Sequence, residues 1–147
     1  MTLDAPDPRV VGLPAHGTRR LIVAGPGWAP ACAALQPATV CPPEDVSRHP
    51  PAGSDTVSLL GVLAAVPDPT ALLDAAVALL APGGVLVLAE HTVERPEDLH
   101  AQPGCWPPFR RWQLGSVLQG YGLRELAFAP MTLPAGGSVM RVWGWRP

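Results

Sequence analysis

The sequence predicts an α/β domain of three layers, doubly wound around a mainly parallel sheet that ends in an antiparallel hairpin. Three observations carry this. The apolar run Thr56 to Leu60 is followed by helical spacing and then by the β-rich Val85 to Leu88, which reads as strand, helix, strand. Pro82 and the pair Gly83–Gly84 stop the helix and reverse the chain through backbone angles open to glycine. Two apolar or alternating segments, Leu123 to Ala129 and Val139 to Trp145, close the chain on either side of Pro134, Gly136 and Gly137. Two buried strands joined by a helix make a right-handed crossover, so the sheet is parallel at its centre.

Taken in order, residues 1–18 are broken by Pro6, Pro8, Gly12, Pro14 and Gly17 and are expected to form a loose lead-in to a domain spanning 19–147. Leu21 to Ala24 is the first strand and enters a turn at Gly25–Pro26–Gly27, after which Trp28 to Leu35 reads as a helix. Glycines at such a turn let a ligand or a helix approach the backbone where no Cβ intrudes. A tight turn without a ligand is the plainer reading of the same two glycines. Gln36 to Ser54 holds one further strand, Ala38 to Cys41, and the acids Glu44 and Asp45.

The central crossover helix is predicted from Asp68 to Ala81. Asp68 is a natural N-cap, Pro69 suits the first helical position, and Leu72, Leu73, Ala76, Leu79 and Leu80 share one face at helical spacing. Beyond Val85 to Leu88, Glu90 and His91 stand at a strand's C-terminal end, the edge where open α/β sheets bind ligands. His91 is the candidate general base, against the plainer reading of a surface histidine. Thr92 to Pro108 is polar and proline-rich, as expected of a substrate loop. Phe109 to Tyr121 reads as a helix with Trp112, Leu114 or Ser116, and Leu118 on its apolar side, opened by Arg110 and Arg111. Trp143 and Trp145 share one face of the last strand, where packing is the commoner role.

The run LLDAAVALLAPGGVLVLAE, preceded by SDTVSLLGVLAAVPDP, resembles the fourth strand, helix and PGG turn of the class I S-adenosylmethionine (SAM) dependent methyltransferases. The resemblance extends from about Arg19 to Trp145. It implies a SAM site in which Gly25, Gly27, Trp28 and Gly61 line the donor and Asp45 contacts adenosine. The pattern is incomplete: Val23 stands at the family's acidic position and Ala29 at its third glycine, and Pro26 removes a backbone N–H from the turn. Between Gln36 and Ser54 one strand and its helix are missing relative to the family. If Ala38 to Cys41 is the second strand, Glu44 or Asp45 falls where a ribose-binding acid belongs. If it is the third, EDVSRHPPAGSD resembles the approach to the fourth strand, Asp45 lies nearer adenine, and no ribose acid exists. The third-strand alignment is the better match of the two.

Composition sets limits. With 147 residues, 48% hydrophobic, there is material for one domain with a real core. A net charge of −2 and only 15% charged residues provide no basic stripe for nucleic acid. Twenty prolines and fifteen glycines exclude a helical bundle. Three cysteines, Cys32, Cys41 and Cys105, without a CxxC pair, point to reduced thiols and to no metal site. No apolar run is long enough to span a bilayer, and no leader pattern opens the chain, so a cytoplasmic protein is expected.

The resemblance implies a SAM-dependent methyltransferase acting on a small molecule. The alternative is a non-catalytic relic of that fold serving as a binding or assembly module, for which Val23, Ala29 and the lost strand argue. A sheet shortened in this way leaves an edge and an apolar face to hide, and a homodimer is expected on that ground.

Overall fold

Leu21, Ile22, Val23 and Ala24 are all buried, so successive side chains, which point to opposite faces of a strand, are covered on both. The same holds for Thr56 to Leu60 and for Leu86 to Glu90. These are the central strands of a sheet in the computed structural model, which describes residues 19–24, 39–63, 66–92, 111–132 and 138–147. The lead-in expected at 1–18, the helix expected over Trp28 to Leu35 and the substrate loop expected after Thr92 lie outside the described residues.

The strands are β1 (Arg20–Ala24), β2 (Thr39–Cys41), β3 (Ser54–Leu60), β4 (Leu80–Thr92), β5 (Arg124–Thr132) and β6 (Ser138–Trp145), in the spatial order β2-β1-β3-β4-β6-β5. β2, β1, β3 and β4 are parallel neighbours, and β6 runs antiparallel to both β4 and β5. A mainly parallel α/β sheet with a terminal antiparallel pair is therefore present, as the sequence predicts. The last strand is inserted beside β4, and β5 lies at the edge.

Helices α1 (Pro69–Leu79) and α2 (Arg111–Gly120) lie against the face that carries Leu21, Val23, Val57, Leu59, Leu86, Leu88 and Val142. Tyr121, just past α2, donates a hydrogen bond to Asp74 of α1 at 2.6 Å and holds the two helices together. α1 begins as its sequence demands: the Asp68 carboxylate accepts from the Ala71 amide at 3.0 Å, with Pro69 at the first position. Leu72, Leu73, Ala76 and Leu79 are buried, and each leucine contributes about 1.5–3 kcal/mol by leaving water. On α2, Leu118 is buried and Ser116 is exposed, so Ser116 is not part of the apolar side.

Two boundaries differ from expectation. α1 ends at Leu79, two residues before Ala81, and β4 starts at Leu80 rather than Val85. Leu80 thus belongs to the strand, where it pairs with Ser54. The next pairs, from Thr56 with Val85 onward, follow after an irregularity that absorbs Pro82–Gly83–Gly84. The cause is non-local. Arg146, after the last strand, exchanges backbone hydrogen bonds with Gly83 and Gly84 at 2.8 Å each, and its guanidinium donates to the Leu80 carbonyl at 2.7 Å. A Cβ at Gly84 would stand 2.8 Å from the Ala81 carbonyl oxygen, so the close passage requires glycine.

The strand between Gln36 and Ser54 is Thr39–Cys41, and it pairs directly with β1 through Leu21–Thr39, Ile22–Val40 and Val23–Cys41. This corrects the third-strand alignment. With one strand fewer, the remaining one satisfies the backbone edge of β1 and so takes the second strand's place. A 3-10 helix, Pro43–Arg48, follows it and packs toward α1 through the buried Val46.

Candidate functional site

Because β2, β1, β3 and β4 are parallel, their C-terminal ends, at Cys41, Ala24, Leu60 and Thr92, share one edge of the sheet. Every segment leaving that edge lies where a ligand meets an open α/β sheet. After β2 come Pro42 and the 3-10 helix with Glu44 and Asp45 in its first turn. After β3 come Gly61, Val62 and Leu63. β4 ends in Glu90, His91 and Thr92.

Glu44 is exposed and Asp45 half-buried. Asp45 pairs with Arg48 at 3.4 Å, an exposed contact of little energetic weight. Burial first, then the negative charges of Asp45 and Glu44, push the Cys41 thiol up to about 11. At neutral pH Cys41 is therefore a protonated, inert thiol rather than a nucleophile. Between the 3-10 helix and the start of α1 lies an open cleft of about 400 Å³, with Pro43, Glu44 and Val46 on one wall and Val66, Asp68 and Leu72 on the other. Its lining is apolar with two acids at the rim.

Gly61 extends the ladder by donating its amide to the Ala89 carbonyl at 2.8 Å, then turns the chain with φ 64. That conformation suits glycine and leaves no Cβ at the edge. Val62 and Leu63, both fully buried, follow. Their amides meet Glu90, which is 2% exposed. Leu63 donates to Glu90 Oε1 at 2.7 Å, and the Val62 amide also bonds this carboxyl. Burial pushes the Glu90 carboxyl up to about 8, and the two backbone donors only partly offset it.

Of the residues predicted for a site, the structure brings Asp45 and Gly61 to the same edge. Gly25, Gly27 and Trp28 lie outside the described residues, although β1 delivers the chain to this edge at Ala24. His91 is in β4 opposite Val139. Sequence reasoning passed over Glu90 in favour of His91. The signal was present: Val85 to Ala89 is a continuous apolar run of the kind that is buried on both faces, and an acid continuing it is carried into the interior. Among the described residues, no group of three His, Cys, Asp or Glu side chains is placed to hold a metal ion, and no helix is long and apolar enough to cross a membrane.

The pattern of the methyltransferase domain family matches residues 22–127. No curated protein matches the chain by sequence. Among solved structures, a SAM-dependent methyltransferase from Thermotoga maritima superposes with a TM-score of 0.66 at 14% identity, covering 95% of this chain and 86% of that one. A SAM-dependent methyltransferase from Archaeoglobus fulgidus has a TM-score of 0.62 at 11% identity, covering 88% and 87%. The Burkholderia thailandensis 1,6-didemethyltoxoflavin-N1-methyltransferase, solved with 1,6-didemethyltoxoflavin and S-adenosylhomocysteine, has a TM-score of 0.61 at 20% identity. There the match covers 86% of this chain and 61% of the other.

Proposed function

Since the chain belongs to the methyltransferase domain family, we propose that it binds SAM at the C-terminal edge of its sheet and transfers the methyl group to a small molecule. The observation that carries this is the convergence on one edge of the Gly61 turn, open for lack of a Cβ, and of the acids that follow the strand beside β1. These residues fit the group. Glu44 and Asp45 stand after the second strand of the sheet, with carboxylates suited to ribose hydroxyls or the adenine edge, and the apolar cleft beside them suits a flat base. Gly25, Gly27 and Trp28 are proposed to complete the donor side, and His91 to accept the proton of the attacking substrate.

SAM, when bound, supplies a methyl group on a sulfonium sulfur. The protein's part is to align a nucleophile with it and to exclude water. Val23, where the family has an acid, is fully buried between Cys41 and Leu59 and offers no polar contact. Affinity is therefore expected to be weaker than in a complete member by at least about tenfold, since one or two charge-assisted hydrogen bonds are absent. The second reading, a non-catalytic module of this fold, draws its support from the same Val23 and from the sheet's having, among the described residues, one strand outside β1.

We further infer a homodimer, because a sheet short of one strand and its helix leaves the β2 edge and the apolar face beside it for a second copy to cover. The buried free thiol of Cys41 accords with a cytoplasmic setting. Calorimetric titration with SAM separates the two functional readings: measurable heat with a matching thermal shift is expected. Neither signal at millimolar SAM would leave the module reading standing. Gly27→Val should abolish the heat while the domain stays folded, by placing side-chain atoms where adenosine approaches.

A further inference from the structure

We propose that Glu90 is a positioning residue for the donor side of the site: its buried carboxyl holds the amides of Val62 and Leu63 and thereby sets Gly61 at the ligand edge. The inference rests on the SAM-binding reading. It starts from an acid in a place that a neutral acceptor would fill more cheaply. Glu90 lies on the sheet face of Leu86 and Leu88, across from the buried Met140, in an interior where an ionised carboxyl costs far more than an amide or hydroxyl.

What it contacts explains the cost. The chain leaves β3 at Gly61, whose amide is tied to Ala89, one residue before Glu90. The next two amides have no strand partner, and both bond the Glu90 carboxyl, Leu63 at 2.7 Å. Strand β4 therefore grips three successive amides of the turn, one by its backbone and two by one side chain. Val62 and Leu63 are fully buried as well, so packing and hydrogen bonds both hold this part of the turn. The part left toward the edge is Gly61, partly exposed and without a Cβ. Release of the two amides frees Gly61 to adopt other angles, since glycine alone imposes none.

The test combines amide hydrogen exchange with calorimetric titration of S-adenosylhomocysteine, the demethylated product of SAM. In Glu90→Ala, exchange at Val62 and Leu63 should quicken at least tenfold while β3 stays protected, and affinity for the probe should fall at least tenfold. Glu90→Gln keeps one oxygen acceptor and should retain Leu63 protection and an affinity within about threefold of wild type. Leu73→Ala serves as the control for general destabilisation, because Leu73 is buried in α1, and it should leave affinity unchanged. Should Glu90→Ala not fold, Glu90→Asp, one methylene shorter, makes the same comparison. Released amides with undiminished affinity would overturn the positioning role alone, as would amides that stay protected without the carboxyl. If the wild-type protein binds no S-adenosylhomocysteine at millimolar concentration while its Val62 and Leu63 amides are protected, the SAM reading fails and this inference fails with it.

Discussion

Replacing Glu90 by Gln should change how the stability of the fold depends on pH. Burial raises the Glu90 carboxyl from its ordinary 4.5 to about 8 in the folded protein. Between these values the folded chain keeps a proton that the unfolded chain has lost. Stability from this group is thus fully present below pH 4.5, declines as pH rises toward 8, and is level above it. At about 1.4 kcal/mol per unit, the shift sets an upper figure of about 4–5 kcal/mol for the loss across the window. Glutamine does not titrate, so Glu90→Gln removes this slope and leaves the contribution of every other group in place. Urea denaturation of both proteins from pH 5 to 9 gives the difference directly. The variant should gain on the wild type by several kcal/mol over that range, whatever its offset at pH 5. Parallel pH profiles would refute the reasoning, since they would mean that the backbone donors offset the effect of burial in full and Glu90 ionises at its ordinary value.

Four further outcomes test the frame around the site and its assembly. Leu73→Ala should cost about 2–5 kcal/mol in urea denaturation, because Leu73 is 2% exposed on the sheet side of α1. Asp68→Ala should cost about 1 kcal/mol in the same assay through loss of the bond to the Ala71 amide. Gly84→Ala should lower stability by about 1–3 kcal/mol, since its Cβ meets the backbone oxygens of Ala81, Asp55 and Ser54. Light scattering at tens of micromolar should return the mass of a dimer, and a clean monomer would remove the inference from the uncovered β2 edge.

The crossover from β3 through α1 to β4 was legible in the sequence because its determinants are local. A cap at Asp68, a proline at the next position and leucines at helical spacing specify one helix and the face it buries, wherever that helix comes to lie. The terminal strand pair was legible for the same reason, from two apolar segments around a glycine-rich link. The tertiary structure alone decided which strands are neighbours. The seat of Thr39–Cys41 beside β1, the insertion of β6 between β4 and β5, and the early start of β4 at Leu80 all depend on hydrogen bonds between residues far apart in the chain. The candidate site divides along the same line. Gly61 and Asp45 were readable from their positions after strands. The burial of Glu90 could be read from the apolar run that it continues, but its partners Val62 and Leu63 come from another strand's end, so what the carboxyl holds was decided by the tertiary structure alone.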